Sequence, residues 1–333
     1  RNREINKFIN SHGWGVAKRY SVTGDASSRQ YYRLIKENGD RAILMDAPIA
    51  TENVQPFISV ASHLSKLGFS APKILAADAT IGALILEDLG ANTYTYLLTN
   101  NYNEMELYKL ATEVLIKLHR TPCDMVSPPG VCNYNEARIL EEVDRLNLWY
   151  LPMVTGRAPE KTIRDEYLNI WRTILPKAWN VPSSLILFDY HVDNLLLLKE
   201  RTGTEACGLL DFQDAVLGPI TYDLMSLLED ARRDVDKNII SKMKALYQNS
   251  FPHIPPKDFE NSWSIMAAQR HIRVIGTFSR LSIRDKKSSY LEHLPRLWRY
   301  METCLRNPIL YPLREWLHEN VPVKHRKVIE YDE

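Results

Sequence analysis

The sequence predicts an α+β chain in two lobes, a small N-terminal antiparallel sheet with one packed helix and then a larger, mostly helical lobe. Three observations predict it. Up to Gly90 the chain alternates short β-rich runs with turn residues around one amphipathic helix. Beyond Gly90 long helical periodicities take over. In the middle of that helical half, short apolar runs appear next to Asp and Asn, as a hairpin would place them.

The strand candidates of the first part are 14–22 (WGVAKRYSV), 30–36 (QYYRLIK), 41–47 (RAILMDA) and 83–90 (ALILEDLG), with the turn-rich TGDASSR (23–29) between the first two. Val54, Phe57, Ile58, Ala61, Leu64 and Leu67 share one helical face, and Gly68 ends that helix. In the second part, Met105, Tyr108, Ala111, Val114, Leu115 and Leu118 predict a long helix closing near His119 and Arg120. Segments 134–150 and 160–179 also read as helical, and strands are expected at 184–188, 195–198 and 208–212. From Thr221 helices return, interrupted at Pro252, Pro255, Pro256, Pro295 and Pro308. The expected division is a short hinge at 87–91, giving lobes 1–89 and 90–333.

Composition narrows the function classes. With 45% hydrophobic and 25% charged residues the 333-residue chain is globular, and 13 glycines are too few for a low-complexity chain. A net charge of +1 offers no field that would hold nucleic acid or an anionic membrane. Nothing approaches the ~18 apolar residues of a membrane span, and RNREINKFIN has no signal-peptide core. Cys123, Cys132, Cys207 and Cys304 form no CxxC pair, which predicts reduced thiols in a cytoplasm rather than zinc or a disulfide framework.

The chemistry concentrates in FDYHVDNLLLL (188–198) and LLDFQD (209–214). Asp189 and Asn194 are five apart, an apolar strand follows, and a second apolar strand delivers Asp211 seventeen residues after Asn194. A hairpin sets Asn194 and Asp211 side by side as oxygen ligands for a hard cation, leaving Asp189 to act on a hydroxyl. Mg²⁺ suits so sparse a set, since phosphate and water complete its shell. Phosphoryl transfer needs that metal, positioning, and a base for the acceptor. Taken singly, Asp189 and Asn194 would also serve as ordinary turn residues.

The order Asp-x4-Asn, apolar strand, Asp-Phe, Gly-Pro and Tyr-Asp-Leu resembles the aminoglycoside-phosphotransferase family, relatives of the protein kinases. Within it the chain looks most like the bacterial anomeric kinases of N-acetylmuramate and N-acetylglucosamine in cell-wall recycling. The resemblance is carried by 24–34 (GDASSRQYYRL), 45–48 (MDAP), 86–90 (LEDLG), 188–196 (FDYHVDNLL) and 209–234, spanning most of the chain. It implies a bilobal protein-kinase-like fold, ATP and Mg²⁺ as cofactors, and a small-molecule acceptor, best an amino sugar. Asp189 would be the catalytic base, and Asn194 and Asp211 the metal ligands. Ser27, Ser28 and Arg29 would cover the phosphates, and backbone groups of Glu87 and Leu89 would take the adenine edge. A plain hairpin turn at 23–29 and a plain strand end at Glu87 are the alternatives. Choline, homoserine or aminoglycoside kinase activity, and a retired kinase fold acting as a binding module, are the competing functions.

Two departures qualify the resemblance. Leu187-Phe188 stands where the family has His-Gly or His-Arg, so the catalytic loop needs support from elsewhere. Met45 stands where kinases place the strand-three lysine. The ion pair between that lysine and a helix glutamate is therefore not expected, and Glu52 is read as a helix N-terminal charge. Arg29, Arg33 and Arg41 are the nearby cations, read either as phosphate partners or as surface arginines. Asp223 is expected to cap its helix or to hold the catalytic loop. Asp230, Arg233, Arg270, Arg273 and Arg280 are weighed as acceptor contacts, with solvent-facing charges preferred.

Overall fold

A computed structural model describes residues 1–22 and 28–326 of the chain. Two compact units emerge. One comprises Arg1–Val131 with Asp189–Ala215, the other Cys132–Phe188 with the chain from Val216 onward.

The first unit is built on a five-stranded antiparallel sheet in the order β1-β2-β3-β5-β4. Its strands are β1 (Lys18–Val22), β2 (Gln30–Ile35), β3 (Arg41–Asp46), β4 (Ile74–Asp78) and β5 (Ala83–Glu87). Side chains alternate between the two sheet faces. Leu34, Ala42, Leu44, Ala83 and Ile85 form one apolar face, covered by Ile5, Phe8, Ile9 and Trp14. Three of these belong to a helix that RNREINKFIN did not announce, α1 (Asn2–Ser11). The signal was present as apolar residues at i, i+3 and i+4 in an otherwise polar run. The expected helix is α2 (Gln55–Lys66), and Gly68 after it adopts φ +75°, a conformation glycine takes without strain. The unit adds α3 (Tyr94–Thr99), α4 (Glu104–Arg120) and the short α5 (Cys123–Val126). Asn103 caps α4 by accepting from the Glu106 N–H, and basic residues fill its last turn.

The second unit is mainly helical. It begins with α6 (Glu136–Arg145), which passes through a single π turn at Leu146–Tyr150 into α7 (Leu151–Thr155), and α8 (Lys161–Ile174) follows. Strand β6 (Ser183–Ile186) closes this stretch. The chain then crosses the first unit as the antiparallel hairpin of β7 (Leu195–Leu197) and β8 (Cys207–Leu209). It returns in β9 (Val216–Pro219), which pairs with β6 and which the sequence did not announce. Helices α9 (Thr221–Leu228), α10 (Lys237–Ser250), α11 (Pro256–Asp285), α12 (Leu294–Cys304) and α13 (Tyr311–Asn320) follow. Pro256 and Pro295 start helices rather than break them, because the first helical turn needs no N–H from them. The 30-residue α11 is the core of the unit, buried along most of its length. Arg270 at 3% and Arg273 at 9% exposure therefore lie inside, contrary to the solvent-facing expectation, while Arg280 is half-buried. Asp230 is buried too, at 1% exposure, with its Oδ2 finding no hydrogen-bond partner among the described residues. No described helix is long and apolar enough to cross a membrane.

Candidate active site

The β7–β8 hairpin pairs Leu195 with Leu209, and one step beyond the ladder the Leu210 N–H donates to the Asn194 carbonyl at 2.9 Å. Two short apolar strands thus bring Asn194 and Asp211 together across the open end of the hairpin. The Asn194 Nδ2 donates to the Asp189 carbonyl at 2.9 Å and lies 3.4 Å from Asp211 Oδ2. Among the described residues the Asn194 Oδ1 accepts no hydrogen bond. Asp211 has φ +56°, a left-handed conformation costly for a non-glycine residue and enriched where chains are held for function. The next residue is locked, since Phe212 stacks on Phe57 of α2 at 5.1 Å.

The Asp211 carboxyl is electrostatically stressed. Burial pushes the Asp211 carboxyl up, and the neighbouring Asp189 charge pushes it further. Gln213, Arg29 and His191 oppose the rise without cancelling it. The Gln213 Nε2 donates to Asp211 Oδ1 at 2.9 Å, while the Gln213 Oε1 is buried with no hydrogen-bond partner among the described residues. The Asp211 carboxylate and the Asn194 Oδ1 beside it are oxygen donors of the kind a hard divalent cation takes.

The loop around Asp189 has the support that Leu187-Phe188 left open, from residues on both sides of Asp189. Within the first unit, the Tyr190 hydroxyl donates to the Ala111 carbonyl of α4 at 2.9 Å. Within the second, Asp223 at the start of α9 accepts from the Leu187 N–H at 2.5 Å and the Phe188 N–H at 3.0 Å. Asp223 therefore holds the loop, one of its two expected roles. Phe188 is in the left-handed region at φ +74°. Its ring stacks on Tyr222 at 5.3 Å, meets Tyr134 edge-on at 5.5 Å, and carries Arg273 and Arg138 at 4.2 and 4.5 Å. Ring packing and two cation–π contacts offset a backbone strain of about 1 kcal/mol.

The expectation for Glu52 is corrected. Rather than a bare helix-terminal charge, it forms an ion pair with Arg29, Nε to Oε2 at 2.9 Å. Its Oε1 accepts from the Ser28 hydroxyl at 2.7 Å. Burial would raise the Glu52 carboxyl, but the hydrogen bonds from Ser28 and Arg29 hold it below the ordinary range. The Arg29 Nη1 stands 3.8 Å from Asp211 Oδ1. Arg33 makes a bidentate pair with Asp88, with contacts of 2.6 and 3.0 Å, and Arg41 is exposed at the start of β3. Sequence spacing does not choose among these arginines, since only the pairing partner distinguishes them. Ser27 lies outside the described residues. The Glu87 N–H donates to the Lys73 carbonyl, and its carboxylate pairs with Arg201 at 2.6 Å. Leu89, half-buried, makes no hydrogen bond among the described residues.

A small antiparallel sheet with a packed helix, a hairpin presenting Asn and Asp, and a helical remainder define the protein-kinase-like phosphotransferase fold. The solved ADP-bound aminoglycoside phosphotransferase APH(2'')-Ib shares it, at a TM-score of 0.58 and 14% identity over 91% of this chain and 99% of that one. Residues 21–259 match the phosphotransferase enzyme family, and the chain belongs to that family. It is 32% identical to an N-acetylmuramate/N-acetylglucosamine kinase of Caulobacter vibrioides, over 96% of either chain. It is 35% identical to a kinase of the same name from Pseudomonas aeruginosa, over 92% of this chain and 90% of that one.

Proposed function

We propose that this chain transfers the γ-phosphoryl group of ATP to the anomeric hydroxyl of N-acetylmuramate or N-acetylglucosamine. The two kinases of that name, each matched over more than nine-tenths of this chain, support the acceptor. The observation that carries the chemistry is the convergence of Asp189, Asn194 and Asp211 at the open end of one hairpin. A kinase of this family uses a nucleoside triphosphate with a divalent metal. ATP and Mg²⁺ are our specific assignment. Asn194 Oδ1 and the Asp211 carboxylate would hold Mg²⁺, which supplies charge neutralisation on the phosphates.

Asp189 orients the acceptor hydroxyl and takes its proton as the new O–P bond forms and the bond from Pγ to the β-phosphate oxygen breaks. An anomeric hydroxyl is more acidic than an ordinary alcohol, so a carboxylate of unremarkable basicity suffices. Ser27 and Ser28 cover the phosphates. The Leu89 N–H and carbonyl remain for the adenine edge, with the Glu87 carbonyl beside them, since the Glu87 N–H is already taken. We place the lobe boundary at 89/90 and the protein in the cytoplasm, where ATP is made and the free sugar would be recovered.

The test is ADP release with Mg·ATP and a panel of N-acetylmuramate, N-acetylglucosamine, choline, homoserine and kanamycin. Turnover is expected on the two N-acetylated sugars. Turnover confined to one of the other three acceptors reassigns the substrate. ATP binding without turnover on any of them would leave a binding module in place of an enzyme.

A further inference from the structure

Phosphates carry several negative charges, and a kinase site needs a cation over them besides the metal. At the strand-three position where a lysine would stand, this chain has Met45, 1% exposed. Met45 pairs directly with Tyr31 of β2, so the two side chains share one face of the sheet. Alternation puts Arg29 and Arg33 on that same face, opposite to the apolar face covered by α1. Tyr31 is hydrogen-bonded to the Arg29 side chain, in keeping with that placement. Arg33 is spent on Asp88 and on the Gly90 carbonyl. Arg29 is the arginine that approaches the proposed metal ligand, 3.8 Å from Asp211 Oδ1, and Glu52 just before α2 grips its Nε.

We propose that Arg29, held by Glu52, binds the nucleotide phosphates in place of the missing strand-three lysine. The proposal rests on the kinase reading above and adds to it the source of the phosphate charge. The cation has moved one strand across the sheet on the same face, and its acidic holder has moved from inside the helix to the residues before it. A guanidinium suits the task, because its planar fork satisfies a carboxylate and a phosphate at once, where a lysine presents a point charge. Glu52 is the positioning residue. Ser28 holds its other oxygen, so the pair is fixed from two sides.

Calorimetry with ATP, ADP and adenosine on the wild-type chain and on Arg29→Gln tests this. The variant is expected to lose at least about tenfold in affinity for ATP and ADP while binding adenosine as before. Wild-type ATP affinity in folded Arg29→Gln overturns the proposal. Glu52→Gln is expected to raise the KM for ATP and leave that for the sugar unmoved; an equal rise in both rejects the holding role. Should Arg29→Gln not fold, a structure of the wild-type chain with a non-hydrolysable ATP analogue decides. A guanidinium nitrogen at hydrogen-bond length from a phosphate oxygen upholds the proposal, and a separation beyond about 6 Å from all of them rejects it. A wild-type chain that binds neither ATP nor adenosine brings down the kinase reading itself, a result distinct from selective loss in the variant.

Discussion

Asp223 and Asp211 stand twelve residues apart in the sequence and differ in how their charge is satisfied. Asp223 has 0% exposure, and its two oxygens accept the backbone N–H groups of Leu187 and Phe188. Asp211 is half-buried, has a like charge at Asp189 beside it, and among the described residues receives one good hydrogen bond, from Gln213. A carboxylate whose acceptors are filled by the backbone is a structural clamp. A carboxylate crowded by another and left short of donors stores free energy that an incoming cation releases. The motif resemblance covers both residues alike, and hydrogen-bond completeness separates their roles.

The comparison breaks most sharply at the acidic pair. By the proposed assignment, Asp189→Asn lowers kcat by about 10³-fold or more with ATP affinity retained, since the base is gone and the metal ligands remain. Asp211→Ala gives the complementary result, loss of Mg²⁺-dependent ATP binding seen by titrating the metal. Retention of kcat in the first variant, or of Mg·ATP affinity in the second, removes the assignment. Asp223→Ala is expected to act on folding, because two buried N–H groups lose their acceptor at a cost of about 3 kcal/mol in urea unfolding. A stability loss below about 1 kcal/mol would show that water replaces the clamp.

Phe188 sharpens the contrast at smaller scale. Phe188→Ala is expected to cost about 3 kcal/mol through the lost ring contacts. Phe188→Gly should be about 1 kcal/mol more stable than the alanine variant, because φ +74° strains alanine and not glycine. The reverse order would mean that the loop relaxes once the ring is removed.

The smallest expected effect concerns His271 of α11, fully buried, whose Nε2 lies 2.7 Å from Glu229 Oε2. Burial lowers its pKa from 6.5, and Glu229 opposes this without reversing it. The unfolded chain therefore binds the proton more readily, so protonation favours unfolding as pH falls below 6.5. Part of the decline in Tm between about pH 7.5 and pH 5.5 should disappear in His271→Gln. An identical pH profile in the two proteins would assign the decline to other groups.

How much of this was legible depends on sequence separation. Asp189, Asn194 and Asp211 were legible as a group because a single short hairpin joins them, and apolar runs flanked by turn residues announce a hairpin. Four of the five sheet strands were legible too, while β4 was passed over, as was α1 because its three apolar residues sit in a polar run. The Arg29–Glu52 pair was not legible. Its partners are 23 residues apart on different elements, and their meeting depends on how the loop before α2 returns to β2. Arg270 and Arg273 misled for a related reason. Charged residues on a helix ordinarily face water, but α11 is enclosed by neighbours drawn from distant parts of the chain.

By itself, then, the sequence determined what short spacing can encode, namely an acid, an amide and a second acid placed by local strand and turn geometry. Tertiary structure alone decided which charges are clamped and which are available. Asp223 closing on Leu187 and Phe188, and Glu52 on Arg29, are contacts across long loops. The free energy of a charge is set by the donors and charges that surround it in space, and a linear chain names those only after it has folded.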